Sequence, residues 1–167
     1  MILKKLDKSF LINLLLIFFI LLLDRISKIY VINLHKKLFG SEIFSSKFLN
    51  INLIWNEGIA FGLFSFNEDF FYNILTIIIL IIIFIIFIIT IKSNGFKKYA
   101  LLMILGGALG NVIDRLYYKA VPDFIDFHVG NFHWFIFNVS DIFITIWVIG
   151  MIFFEIIDRD KHQNEKA

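Results

Sequence analysis

The sequence predicts an all-α membrane bundle of four transmembrane helices that carries a small β-sheet platform on its outer side. Three observations favour this fold class. The 167 residues are 59% hydrophobic and only 18% charged, which is more apolar surface than a soluble domain of this length can bury. The apolar residues stand in long uncharged runs, as lipid-facing helices do. Between the first two runs lies a long segment with strand-like alternation. We therefore expect residues 1–167 to form a single membrane domain.

Four spans are expected, at about residues 9–31, 70–91, 99–116 and 135–157. The clearest, Phe70 to Ile91, is uncharged and has roughly the 20 residues that a helix needs to cross a hydrocarbon core. The first span follows three lysines, as the apolar core of a signal peptide does. No small-residue cleavage site follows it, and Asp24-Arg25 comes next, so we expect it to be retained as a span.

Basic residues orient the predicted bundle, because lysine and arginine are enriched in cytoplasmic segments. Four crossings place three basic groups on one side, so both termini are expected in the cytoplasm. These groups are Lys4, Lys5 and Lys8; Lys92, Lys97 and Lys98; and Arg159, Lys161 and Lys166.

The same topology brings Asp24, Asp114 and Asp141 to the outer ends of their spans, at a similar depth. Carboxylates there normally face a bundle interior or a wet cavity and mark functional sites.

Overall charge and cysteine content exclude several classes of function. The net charge is only +2 and no basic stripe is present, so no nucleic-acid partner is expected. The chain has no cysteine, which excludes disulfides, thiolate metal ligands and cysteine nucleophiles.

A β-hairpin is expected in the outer loop, at about residues 40–66. Apolar residues alternate there with amides, which predicts a strand with one apolar and one amide-rich face. After a turn at Asn56-Glu57-Gly58, residues 59–64 would return as a second strand. Such a platform could hold an extended peptide by edge pairing. The alternating residues are Leu49, Ile51, Leu53 and Trp55 against Asn50, Asn52 and Asn56.

The third span combines small residues with a polar face. Gly106 and Gly110 have the spacing that lets two helices approach closely. Asn111, Asp114 and Arg115 follow at spacings that place all three on one helical face. An amide, an acid and a guanidinium grouped in this way predict a polar pocket.

Two kinds of hydrolytic site are disfavoured by the sequence. A serine triad would need Ser140 with His128 or His133, but no G-x-S-x-G motif is present. A metal site could use Asp126, His128 and His133, but their spacing is not H-E-x-x-H, and a short exposed loop offers no supporting groups. We therefore expect no metal and no cofactor.

The remaining kind of hydrolytic site is a pair of carboxylates. Asp123 precedes Asp141 by 18 residues, which is enough for a loop to fold back and bring the two together. Two carboxylates that share a proton have pKa values pushed apart, so one can act as a base and the other as an acid. Periodicity alone does not distinguish Asp123 from Asp126.

Five motifs resemble those of the lipoprotein signal peptidase family, also called signal peptidase II. The resemblance covers nearly the whole chain, with the four spans in order. It implies a bacterial inner-membrane aspartic endopeptidase that removes signal peptides from diacylglyceryl-modified prolipoproteins, cleaving before the lipidated cysteine. It also implies inhibition by globomycin-type cyclic peptides. The motifs are DRISK at 24–28, NEGIAFG at 56–62, GNVIDRL at 110–116, VPDFIDF at 121–127 and FNVSDIF at 137–143.

The resemblance also implies roles for individual residues. Asp123 and Asp141 match the catalytic pair, and Asp126 does not. Pro122 and Ser140 stand where the family usually has an aliphatic residue and an alanine, and neither change removes a functional group. The residues that match substrate-binding or supporting positions are Asp24, Asn56, Asn111, Asp114, Arg115 and Asn138.

The implied location is multi-pass in the bacterial inner membrane, with the active site at the outer, periplasmic leaflet and in contact with membrane lipid. We expect a monomer. Two other hypotheses stay open: a small proton-coupled carrier that uses the same acids, in which no half-helix breaks or inverted repeat are evident, and a membrane scaffold whose polar groups only pair helices.

Overall fold

A computed structural model describes residues 8–58 and 69–164. Four helices and two pairs of strands are present in these residues, with one pair of strands between the first and second helices and the other between the third and fourth. In chain order the elements are α1 (Lys8–Lys37), β1 (Phe44–Ser45), β2 (Leu49–Asn56), α2 (Asp69–Lys92), α3 (Gly95–Tyr118), β3 (Val121–Val129), β4 (Phe132–Phe137) and α4 (Val139–Asn164).

All four helices are long and apolar enough to cross a membrane, so the predicted four-span bundle is confirmed. They expose large apolar side chains along their length: Leu15 is 64% exposed and Phe84 63%. Apolar surface of this kind belongs against lipid, since a soluble protein rarely exposes large contiguous apolar patches.

Helix boundaries differ from the expected ones in α1, α3 and α4. The first helix continues beyond residue 31 to Lys37, and α3 covers 95–118 rather than 99–116. The fourth helix begins at Val139, not near residue 135, because the preceding aromatic residues form strand β4. Helix α3 ends where Lys119 adopts a left-handed conformation and its N–H donates to the Arg115 carbonyl, which turns the chain directly into β3.

Helix α3 is the centre of the bundle and packs against α1, α2 and α4. Glycines permit the close approach. A Cβ on Gly106 would lie 2.9 Å from a side-chain carbon of Ile20 in α1, and one on Gly107 would lie 2.6 Å from the Ser140 carbonyl oxygen in α4. Both separations are too short for any larger residue, so these glycines set the spacing of the helices.

The four strands form one antiparallel sheet in the order β1-β2-β3-β4, which confirms the predicted sheet but not its pairing. Strand β2 pairs with β1 and β3. The second strand expected at 59–64 lies outside the described residues. Residues 121–129, expected as a loop that carries Asp123, form strand β3 instead.

A β-bulge in β2 changes which residues share a face of the sheet. Three steps along β2, from Ile51 to Ile54, oppose only two along β3, so β2 contains one extra residue there. As a result Asn50 pairs with Asp126, whereas Asn56 pairs with Val121. Because side chains alternate along β3, these two amides lie on opposite faces. The expectation of a single amide-rich face is therefore wrong.

Candidate active site

All eight residues predicted for the site belong to one hydrogen-bonded network where the sheet meets the bundle. Strands β2 and β3 contribute Asn56 and Asp123, and the end of β4 leads into Asn138. The remaining members project from helices α1, α3 and α4; they are Asp24, Asn111, Asp114, Arg115 and Asp141.

The first turn of α4 holds Asp141 in a reciprocal cap with Asn138. The Asp141 N–H donates to Asn138 Oδ1 at 3.2 Å, and the Asn138 N–H donates to Asp141 Oδ2 at 3.1 Å. This is a capping box in which an aspartate takes the third helical position. The cap fixes the Asp141 carboxylate at the positive end of the helix dipole, where negative charge is stabilised.

The other candidate carboxylate, Asp123, is held by two side-chain amides. Asn138 Nδ2 donates to its Oδ1 at 2.6 Å, and Asn56 Nδ2 donates to its Oδ2 at 2.8 Å. Asp123 is only 3% exposed. Burial, together with repulsion from the nearby carboxylate of Asp141, raises the pKa of Asp123 to about 6.

Asp126 lies apart from this network. Side chains alternate along β3, so Asp126 points to the face opposite Asp123. Its carboxylate is 2.8 Å from His133 Nδ1. The strand geometry thus separates the two aspartates that the sequence pattern alone left equivalent.

Asn111 of α3 connects the carboxylates to the helix bundle. Its Nδ2 donates to Asp141 Oδ1 at 2.8 Å, while its Oδ1 accepts from Asn138 Nδ2 at 3.2 Å and from Lys28 Nζ at 2.9 Å. Two donors at Oδ1 and an acceptor at Nδ2 fix the orientation of the amide.

A cluster of four charged residues, three of them fully buried, contacts Asn111 through Lys28. Lys28 Nζ lies 2.8 Å from Asp24 Oδ1 and 2.6 Å from Asp114 Oδ2. Arg25 contacts the same two carboxylates, at 2.9 and 2.5 Å. Lys28, Asp24 and Asp114 are all 0% exposed, whereas the Arg25 side chain is 25% exposed. The two buried carboxylates are thus neutralised by one buried and one partly exposed positive charge.

Sequence reasoning missed Lys28 and Arg25 as members of the site. A local signal did exist, because Asp24 and Lys28 are four residues apart within one apolar helix, the spacing of a helical ion pair. The contacts with Asp114 and Asn111 come from another helix and could not be read from the sequence.

Arg115 holds the segment that follows β2. Its guanidinium donates a short hydrogen bond to the Gly58 carbonyl, and the Gly58 N–H donates to Asn56 Oδ1 at 2.9 Å. The Arg115 Cζ also lies 5.7 Å from the centre of the Tyr72 ring, within range of a cation–π interaction. Gly58 thus links Arg115 to Asn56 and, through it, to Asp123.

Both candidate carboxylates face a cavity of about 340 Å³. Its wall combines polar groups, namely two acids, two amides and a guanidinium, with apolar side chains. The polar groups can exchange protons with a bound amide while the apolar side chains hold its neighbouring groups. The polar lining residues are Asn56, Asn111, Arg115, Asp123 and Asp141, and the apolar ones include Ile79, Ala108, Val121, Phe135 and Ile144.

Comparison with known proteins gives a consistent result. The family model described as signal peptidase (SPase) II matches residues 16–157. The lipoprotein signal peptidase of Pelagibacter ubique is 46% identical over 95% of this chain and 96% of its own length. The enzyme of Anaplasma phagocytophilum with the same name is 36% identical over 85% of this chain and 90% of its own length.

Two solved structures described as bacterial membrane enzymes also match. One superposes with a TM-score of 0.69 at 33% identity and covers 92% of this chain and 96% of its own. The other has a TM-score of 0.68 at 34% identity, with coverage of 89% and 90%. The matched segment contains both candidate carboxylates and the whole network around them, and the chain belongs to the signal peptidase II family.

Proposed function

We propose that this chain is an aspartic endopeptidase that removes the signal peptide of prolipoproteins by cleaving before the lipid-modified cysteine, with Asp123 and Asp141 as its catalytic pair. The observation that carries the proposal is that one residue, Asn138, hydrogen-bonds both carboxylates at the wall of one cavity. Membership of the family supports the peptidase activity and the lipoprotein substrate.

The environments of the two acids suggest different roles. Asp141 lies in the first turn of α4 and accepts two N–H donors, which can stabilise a negative charge on its carboxylate. Asp123 is buried in a strand beside that charge, which raises its pKa to about 6 and favours its protonated form. We therefore assign Asp141 as the base and Asp123 as the acid, with the titration shared by the pair.

The reaction then follows from these roles. Asp141 takes a proton from a water molecule, whose oxygen attacks the carbonyl carbon of the scissile peptide bond. Asp123 donates its proton to the carbonyl oxygen, so no full negative charge develops there. The proton held by Asp141 passes to the leaving nitrogen as the C–N bond breaks, and Asp123 takes back a proton from a hydroxyl group of the intermediate as the C=O bond re-forms. Asn56 and Asn138 keep the Asp123 carboxyl in place throughout.

The supporting residues are proposed to orient the acids and the substrate backbone. Asn111 donates a hydrogen bond to Asp141 and so orients its carboxylate, and the Asn111 amide is itself held by a hydrogen bond from Lys28. Arg115 lines the cavity and holds the Gly58 carbonyl, so it can position an extended peptide against β2. A globomycin-type cyclic peptide would compete for the same cavity.

The proposed orientation places the site near the outer leaflet of the bacterial inner membrane, with both termini in the cytoplasm. Lys92, Lys97 and Lys98 flank the turn between α2 and α3, which lies at the opposite ends of these helices from the sheet. Basic residues favour the cytoplasmic side. Since the chain has no cysteine, Ser46→Cys in the turn between β1 and β2 and Ser93→Cys in the turn between α2 and α3 can report sidedness. An impermeant maleimide should label only the first in spheroplasts; the reverse pattern would contradict the orientation.

The function itself is tested by incubating the purified protein with a lipid-modified prolipoprotein and following product masses. The expected products are the free signal peptide and a chain that begins at the lipidated cysteine. The same prolipoprotein without lipid serves as a control and should be cleaved much more slowly. Failure to cleave the lipid-modified substrate would contradict the proposal, and ion flux through proteoliposomes in that case would favour a proton-coupled carrier.

A further inference from the structure

A second group of polar side chains lies on the face of the sheet opposite Asp123. Asp126 and His128 are two residues apart in the regular strand β3, so their side chains point to the same side. His133 of β4 is the direct cross-strand partner of His128. One ligand-type atom from each residue can be chosen so that all three lie within 4.8 Å of one another.

Asp126 and His133 already form a pair. The two carboxylate oxygens of Asp126 are 2.8 and 3.1 Å from His133 Nδ1. The Asn50 amide also points at the carboxylate, with Nδ2 3.5 Å from Oδ2. The Asp126 side chain is 10% exposed and that of His133 is 53% exposed, so the carboxylate is held in the sheet while the imidazole faces outward.

This pair does not account for His128. The Nδ1 atom of His128 is shielded from solvent and has no hydrogen-bond partner among residues 8–58 and 69–164. A shielded ring nitrogen without a partner is unfavourable. The ring of His128 stacks on that of His133, with centroids 5.0 Å apart and planes inclined by 20°. Two parallel imidazoles and a carboxylate therefore converge at one place.

We propose, contrary to the expectation from the sequence, that Asp126, His128 and His133 form a binding site for a divalent transition-metal ion of the zinc class, because the three residues lie in paired strands and not in an exposed loop. Two imidazoles and a carboxylate are ligands that Zn²⁺ accepts, with a fourth position left for water. Ligand atoms in a tetrahedral zinc site lie roughly 3.3 Å apart, given bonds of about 2.0–2.1 Å. The ligand atoms of the three residues lie within 4.8 Å of one another, so their side chains would rotate inward as the ion binds.

Two features of the sheet support the site. The Asn50 amide would hydrogen-bond the ligating carboxylate from the outer shell, a contact that typically orients metal ligands. His128 and His133 lie close to the turn that joins β3 to β4, so a bound ion would tie these strands together at that turn. The site lies on the other face of β3 from Asp123, so it serves the stability of the sheet and not peptide hydrolysis.

The test uses the full chain without an affinity tag, purified in detergent and stripped with a chelator. Titration with Co²⁺ should produce visible d–d absorption bands that saturate at one equivalent and disappear when Zn²⁺ is added. His128→Ala and His133→Ala should each weaken Zn²⁺ binding at least tenfold in competition experiments. His35→Ala removes an imidazole at the end of α1, outside the cluster, and should bind like the parent.

Thermal unfolding gives a second readout. Saturating Zn²⁺ should raise the melting temperature of the parent and of His35→Ala, because an ion that binds only the folded state stabilises it, but not that of His133→Ala. Because the His133 side chain is half-exposed, His133→Ala should still fold. The absence of Co²⁺ bands at one equivalent, or parent-like binding by both histidine variants, would overturn the proposal. Peptidase activity is not measured here, so the outcome is independent of the proposed function.

Discussion

Asn138 donates a hydrogen bond to Asp123 Oδ1 at 2.6 Å, and this bond ties strand β3 to the first turn of α4. The Asn138 amide cannot flip by half a turn, because its Oδ1 accepts a hydrogen bond from the Asp141 N–H as the helix cap. A single asparagine therefore determines both where α4 begins and how the two carboxylates are placed relative to each other.

We predict that Asn138→Ala lowers the initial cleavage rate by about 10- to 100-fold. The change removes a hydrogen bond to an acidic group, worth about 1.5–3 kcal/mol, and also the helix cap, worth about 1 kcal/mol of stability. Rates are measured with purified variants whose melting curves confirm folding. Asn50→Ala, an amide on the other face of the sheet, should keep the parent rate. An unchanged rate in Asn138→Ala would exclude the bridging role.

Replacing Lys28 should destabilise the whole bundle. In Lys28→Met the carboxylates of Asp24 and Asp114 lose their shared ammonium group, and breaking a buried pair on one side costs on the order of 3–5 kcal/mol. Detergent-unfolding curves should therefore shift strongly, whereas Lys36→Met, an exposed lysine at the end of α1, should have little effect.

A double variant tests whether the stability lost in Lys28→Met is electrostatic in origin. Lys28→Met combined with Asp114→Asn removes one charge of each sign, so its unfolding free energy should fall by less than the sum of the two single changes. Additive effects would mean that Lys28 contributes through packing alone.

Gly107→Ala should impair activity by separating α3 from α4. The added methyl group would lie 2.6 Å from the Ser140 carbonyl oxygen, and backbone cannot move aside without shifting the turn that holds Asp141. Overpacking typically costs about 1–3 kcal/mol. Gly150→Ala is the matched control, because its nearest neighbour, a Phe96 ring carbon, would be 3.7 Å away. Equal activity in both variants would show that this helix contact does not position the acid.

The acid–base assignment predicts a particular pH dependence. Asp123 must be protonated to act as the acid, and its pKa is about 6, so kcat/KM should decline as the pH rises through about 6. Infrared titration of the Asp123 carboxyl in Asp141→Asn should give a lower pKa than in the parent, because the repelling charge is gone while burial remains. A pKa unchanged by this substitution would mean that the two acids do not interact.

Sequence patterns identified the parts of this protein that depend on local properties. Hydropathy and length define a transmembrane helix, so the four spans could be recognised, and helical spacing placed Asn111, Asp114 and Arg115 on one face. The predicted start of α4 is too early, because residues 135–137 are apolar enough to resemble the start of a span. Only pairing with β3 makes them a strand.

Other features of the site depend on pairing between distant segments. Whether Asp123 or Asp126 faces the cavity follows from the alternation of β3, which cannot be recognised if residues 121–129 are expected to form a loop. The bulge in β2 moves Asn56 to the side of Asp123, and no residue in the asparagine-rich segment signals it. Two of the partners of Lys28, Asn111 and Asp114, come from a helix more than 80 residues away, beyond any local pattern.

The central claim is that Asp123 and Asp141 perform the cleavage, and the most direct measurement is the cleavage rate of three aspartate variants on a lipid-modified prolipoprotein. We predict that Asp123→Asn and Asp141→Asn each lower the rate by about 10²- to 10⁴-fold, with folding verified by thermal unfolding. Asp126→Asn should remain close to the parent. Full activity in either of the first two variants would contradict the assignment of the pair.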